Sequence, residues 1–164
     1  MATKHDFHKA IIGRSEVITF VGTDAIAVPA KTDTGAYRSA AHASNIVLDQ
    51  ENGILSFDLL GNHPVCGNES VKISTSDFNR VGVVSSSGHR EDRYEVKLKV
   101  KIGSKVFHAK FTLTDRSARV YPILLGRTLL NGRFVVDSSQ TSIDRARLKN
   151  HYGIEFPVDE EEGR

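Results

Sequence analysis

Residues 31 to 46 read KTDTGAYRSAAHASNI, and the tripeptide Asp33-Thr34-Gly35 inside it decides how the rest of the chain is read. The run AIAVPAK (25–31) reads as a strand that delivers the aspartate. Asp, Thr and Gly are all turn formers, so alone the tripeptide marks no more than a turn. Yet a glycine also lets backbone N–H groups come close to a carboxylate. Two carboxylates held together cannot both ionise easily and share one proton. One then acts as general base on a water, while its protonated partner polarises a carbonyl. The tripeptide is either an ordinary turn or half of a two-carboxylate site, and its surroundings must decide.

Working outward, the chain reads as short, alternating segments. EVITF, GILSFDLL, SVKIST, RVGVVSS, YEVKLKVKI, KVFHAKFTLT and RFVVD join AIAVPAK as strands rich in Val, Ile, Phe and Thr. In YEVKLKVKI (94–102), Val96, Leu98, Val100 and Ile102 fall on one face and Glu95, Lys97, Lys99 and Lys101 on the other. That period of two marks a half-buried antiparallel strand. Gly103-Ser104 then gives a hairpin turn into KVFHAKFTLT. Strands this closely spaced predict one all-β barrel or sandwich. Only GRTLLNG (126–132) and DRARLKNHYG (144–153) read as helical, and both are short.

Composition bounds the function. A length of 164 residues suits one domain able to bury its own core. The 22 basic residues are spread among 20 acidic ones, for a net charge of +2, which argues against a dedicated nucleic-acid binder. The single cysteine, Cys66, forms no intramolecular disulfide and requires no oxidising compartment. MATKHDFHKAIIGR (1–14) lacks the apolar run and cleavage site of a secretory signal. No apolar run approaches the ~18 residues of a membrane span. These features predict a soluble cytoplasmic protein.

The second informative piece is YPILLGRTLLNG (121–132). Leu124, Leu125 and Gly126 form an apolar pair with a glycine, and Arg127 opens a short helix. Alone this is a buried strand ending in a glycine turn. Paired in order with DTGA (33–36), with strands between, it resembles the retroviral-type aspartic proteases, the retropepsins. IGRSE, PAKTDTGAYRSAAHA, SSSGHREDRYEV, LTDRSARVYPILLGRTLL and FVVDSS together are similar to a bacterial family of retropepsin-like domains. That family is often labelled ATP-dependent zinc protease, and some members are encoded beside glutamate-adding ATP-grasp ligases.

The resemblance implies a closed acid-protease barrel with one or two short helices over residues 11–145. An N-terminal arm (1–10) precedes it, and an extension with an acidic tail (146–164) follows. It implies a homodimer, because one chain contributes one Asp33. Asp33 is then the catalytic carboxylate, Thr34 bonds across the dimer axis, and Gly35 helps position substrate. Leu124, Leu125, Gly126 and Arg127 support the loop from behind. Between the motifs, VGVVSSSGHREDRYEV fits a substrate-covering flap with Ser86, Ser87 and Gly88 at its tip. The implied activity is an aspartic endopeptidase acting on peptide or isopeptide bonds, functionally linked to an ATP-grasp ligase. The alternative is a non-catalytic peptide-binding module that recognises glutamate-rich tails through Arg38, Arg90, Arg93 and Arg127.

The chain departs from the viral pattern at Tyr37, where an acidic partner for Arg127 is expected; Asp115 is the candidate replacement. The remaining residues favour neither zinc nor ATP. Zinc needs three or four converging ligands, and His5 with His8, and His63 with Cys66, read as surface or loop side chains. His42 reads as a satisfied, semi-buried histidine, able to tune Asp33 only if it lies within ~6 Å. No G-x-x-x-x-G-K-[ST] phosphate loop is present. No cofactor, metal, nucleic acid or membrane partner is expected.

Overall fold

A computed structural model describes residues 8–66, 70–85 and 87–142. DRARLKNHYG, the acidic tail, His5 and Ser86 lie outside the described residues. Eleven strands and one short helix follow one another along the described chain. They are β1 (Ala10–Ile12), β2 (Ser15–Phe20), β3 (Val28–Thr32), β4 (Ser39–Asp49), β5 (Ile54–Leu59) and β6 (Val71–Thr75). Then come β7 (Phe78–Val84), β8 (Arg90–Ile102), β9 (Lys105–Thr114), β10 (Ile123–Leu125), α1 (Arg127–Leu130) and β11 (Phe134–Val136). Among the described residues, no helix is long and apolar enough to cross a membrane.

The main sheet runs β10-β3-β2-β8-β9-β4, and pairing of β10 with β4 closes these six strands into a barrel. Beyond it, β5 and β6 extend the sheet from β4, and β7 pairs with the outer half of β8. Two alternating strands build much of the interior. Val96, Val100 and Ile102 of β8 are buried, as are Ala109 and Phe111 of β9, with Val96 opposite Phe111; Leu98 of the same row, opposite Ala109, is half-buried. Phe20 meets Phe111 edge-on at 5.7 Å, a favoured aromatic geometry. Ile18, Ile123, Leu125 and Leu129 join the same core.

β4 is the strand that periodicity does not signal. SAAHASNIVLD is rich in Ala and Ser, which have little strand preference. Ser39 to Ala43 are nevertheless all buried, because this half of β4 pairs with β9 on one side and with β10 on the other. Small side chains suit that crowded place. Pairing with β5 begins at Ala43; at Asn45, with φ of +50°, its register slips in a bulge, and it resumes at Val47. β1 and β11 form a separate parallel two-stranded sheet, so Ala10 sits beside Phe134.

The polar face expected of β8 needs one correction. Lys97, Lys99 and Lys101 are exposed, but Glu95 is 4% exposed. Arg38 covers it, with Nη1 donating to Oε2 at 2.6 Å. Alternation along the strand predicted the side on which Glu95 lies; it could not predict that a distant residue would cover it.

Candidate active site

The site begins with a parallel register. β10 lies beside β3 with Leu125 opposite Thr32, so the residues after each strand emerge together. Those residues are Asp33 and Gly126. The Asp33 N–H donates to the Leu125 carbonyl at 2.9 Å, and the Arg127 N–H donates to Ala36 at 2.8 Å. The Thr128 N–H bonds the Tyr37 carbonyl at 3.0 Å. The short α1 is thereby tied to the far side of the Asp33 loop by main-chain bonds. Of the apolar pair, Leu125 is fully buried and Leu124 half-buried.

Gly126 allows the close approach. A Cβ there would meet the backbone carbon and oxygen of Arg38 at 2.5 Å, where no side chain fits. The Gly126 N–H also donates to the hydroxyl of buried Ser39 at 2.9 Å. Ser39 is a structural member of the site that motif reading missed. Its signal was a small hydroxyl residue opening an alanine-rich run.

The loop itself is open. The Gly35 N–H donates to Asp33 Oδ1 at 2.9 Å, which orients the half-exposed carboxylate. Among the described residues the second carboxylate oxygen has no hydrogen-bond partner. Thr34 and Gly35 are exposed, and the Thr34 hydroxyl has no in-chain partner among the described residues.

Arg127 has a different partner from the one expected. Its Nη1 donates to the carbonyls of Thr34 at 3.2 Å and Gly35 at 2.9 Å. Its guanidinium also lies 5.8 Å from the ring centre of Tyr37, and Arg38 lies 5.5 Å from the same ring. The residue in the place of the acidic partner is therefore an exposed aromatic ring flanked by two cations. Asp115 is not the replacement. Its carboxyl caps its own turn by accepting from the Ser117 N–H at 2.8 Å, and bonds with Ser117 hold its pKa below the usual carboxylate range.

The histidines are satisfied and do not join the loop. His42 Nδ1 accepts the Arg116 N–H at 2.9 Å, so Nε2 carries the proton and donates to the Gly61 carbonyl at 2.7 Å. Asp115 lies 3.7 Å from that Nδ1, but a nitrogen already accepting an N–H is neutral, so the contact is not an ion pair. His63 lies in the loop between β5 and β6, one of the two places expected, but it is 1% exposed and so not a surface side chain. Its Nδ1 accepts the Val65 N–H, and its Nε2 donates to the carbonyls of Arg116 and Arg119. Burial, with the neighbouring His42 ring, lowers its pKa to about 4. The two rings meet edge-on at 5.0 Å. Cys66, whose N–H donates to the His63 carbonyl at 3.1 Å, is buried and not at the surface. With every ring nitrogen taken, neither histidine has a lone pair to offer a metal. Among the described residues no three His, Cys, Asp or Glu side chains converge on a metal site.

The expected flap segment is a hairpin. β7 and β8 pair from Phe78↔Val96 to Val84↔Arg90. Ser85 and His89 close the tip at 2.9 Å, with Gly88 at φ +79° donating to the Ser85 carbonyl. Ser87 and Gly88 are exposed there. The four arginines read as a candidate acidic-tail binder are not clustered as free cations. Arg38 pairs with Glu95, Arg93 with Glu91 at 3.2 Å, and Arg127 with the loop carbonyls, while Arg90 lies against Gly82.

A six-stranded barrel carrying one Asp-Thr-Gly loop, backed by an apolar strand, a glycine and a short helix, is the retropepsin-like acid-protease architecture. Within that class the chain belongs to the RimB-like family, described as retropepsin-like aspartic endopeptidase RimB, which matches residues 11–147. It is 35% identical over 133 residues to a probable alpha-L-glutamate ligase of Parasynechococcus marenigrum, covering 79% of this chain and 28% of that protein. A protein with the same description from Shewanella pealeana is 30% identical over 138 residues, covering 82% of this chain and 30% of its own. The chain therefore spans less than a third of the length of these curated relatives. A crystal structure of a protein of unknown function from Legionella pneumophila superposes with a TM-score of 0.63 at 29% identity. That match covers 80% of this chain and 95% of the other.

Proposed function

We propose that the chain is an aspartic endopeptidase that hydrolyses peptide or isopeptide bonds as a homodimer. The observation that carries the reading is the open end of the Asp33 loop: an oriented carboxylate, a carboxylate oxygen with no partner among the described residues, and an exposed Thr34 on a turn backed by main-chain bonds. One chain supplies one such loop, and a two-fold axis past Asp33 would bring two carboxylates together to share a proton. One Asp33 carboxylate takes a proton from water, while the protonated partner donates to the carbonyl oxygen of the scissile bond. The β7–β8 hairpin would close over substrate and exclude water. The lone, buried Cys66 is compatible with a cytoplasmic setting.

A second reading is favoured by the relatives. Because stretches of probable alpha-L-glutamate ligases resemble this chain, it could work beside such a ligase as a binding module for glutamate-rich peptides. Sedimentation equilibrium across a concentration series, followed by a peptide-library cleavage screen with Asp33→Asn as control, tests the choice. A dimer whose cleavage vanishes in Asp33→Asn supports the peptidase. A strict monomer at high concentration overturns the shared dyad and leaves the binding module.

A further inference from the structure

We propose that the outer face of the β8–β9 hairpin is a docking track for an acidic peptide segment. The pairing register places Lys97 directly opposite Lys110, and Lys99 directly opposite His108. Lys101 continues the row on β8, and all five side chains are exposed on one face. Among the described residues none of these four lysines forms an ion pair. A chain with a net charge of only +2 has thus gathered four lysines on one small patch. Like charges set directly opposite on paired strands destabilise the sheet. Lys97 and Lys110 hold that arrangement, and a bound anion would relieve it.

The geometry favours an extended acidic peptide. Side chains on one face of a strand repeat every ~6.6–6.8 Å. An acidic segment lying along β8 would present alternate carboxylates at the spacing of Lys97, Lys99 and Lys101. A nucleic-acid backbone fits less well. The row of Lys97, Lys99, Lys101, His108 and Lys110 includes no arginine for bidentate phosphate binding and no Phe or Tyr on which a base could stack, and Arg38 at its end is engaged by Glu95. The row also leads toward the candidate active site. Beyond Lys97 lies Glu95, neutralised by Arg38, and Arg38 belongs to the segment that follows the Asp33 loop. Asp77 is the other carboxylate at that end, in a small cleft it shares with Asn79, Glu95, Lys97 and Lys110. Docking on this face requires no turnover, so the inference does not depend on the peptidase reading; it rests on the second reading and gives glutamate-rich peptide binding a location away from the Asp33 loop.

The test is fluorescence anisotropy of a labelled oligoglutamate peptide with the full chain carrying Asp33→Asn, so that hydrolysis cannot consume the probe. Binding is expected at low salt and should fall steeply as salt rises. Lys97→Ser, Lys99→Ser and Lys110→Ser combined should weaken it about tenfold, the sum of three modest exposed charge contacts. Should that variant fail to fold, Lys99→Glu alone reverses the central charge and gives the same readout. Thermal melting of Lys110→Ser should show no loss of stability, since it removes a repulsion. No binding at low salt, unchanged affinity in the lysine variants, or tighter binding of an oligonucleotide than of the peptide would each overturn the proposal.

Discussion

Asp33 and His42 lie in the same short stretch of chain and end in opposite circumstances. Both follow from the way β4 and β10 cross behind the loop. His42 is sealed: each ring nitrogen meets a backbone group, and the ring packs against His63. Among the described residues, Asp33 is held from behind, by its own N–H and by Gly35, and one oxygen of its half-exposed carboxylate is unspent. The histidine knot binds loops together and has no capacity left for chemistry. The aspartate loop is equally well anchored and keeps its reactive group open. In this protein, the useful mark of a candidate site is a polar group whose backbone is fixed and whose side chain is not yet satisfied.

The largest expected effect separates those two roles. Asp33→Asn should lower any cleavage by about 10²–10⁴-fold, the range for loss of an acid–base group. Its urea unfolding midpoint should barely move, because little is buried with it. Equal loss of activity and stability would mean that the carboxylate is structural, and the contrast would collapse. His63→Ala should do the reverse. Removing the donor shared by Arg116 and Arg119, and emptying a buried space, should cost about 3 kcal/mol in denaturant titration.

The knot should also respond to pH. His63 holds a folded value of about 4 against an ordinary 6.5. Between those values the unfolded chain binds more protons, so stability is complete above about pH 6.5 and declines as pH falls toward 4. The full loss is on the order of 3 kcal/mol. Melting temperatures across that window should show the slope in wild type and lose most of it in His63→Ala. Glu95→Gln probes the pair that ties the segment after the Asp33 loop to β8. It should cost about 1–2 kcal/mol, less than a fully buried pair because Arg38 keeps some solvent contact. Tyr37→Asp should be the mildest, changing stability by under about 1 kcal/mol. Arg127 already has two carbonyl acceptors, so a restored carboxylate adds little.

Much of this was legible in the residues. The alternation in YEVKLKVKI located the core face of β8, and the order of DTGA and ILLGRTLL pointed to the fold, because both signals are local in the chain. Other features were not. β4 carries weak strand preference, and only its crowding between β9 and β10 makes it a strand. Glu95 looked like a surface charge until Arg38 covered it. Asp115 looked like a partner for Arg127 until its turn pointed it toward Ser117 and His42. His63 and Cys66 looked peripheral, and burial made the histidine a keystone.

The sequence by itself determined the alternating strands, the turn at Asp33 and the small, apolar backing around Gly126, since each rests on neighbours along the chain. Only the tertiary structure decided which charges are covered, which hydrogen bonds remain open and which lysines face one another. Those depend on residues brought together from distant parts of the chain, and pairing across a barrel leaves no periodic trace in either strand alone.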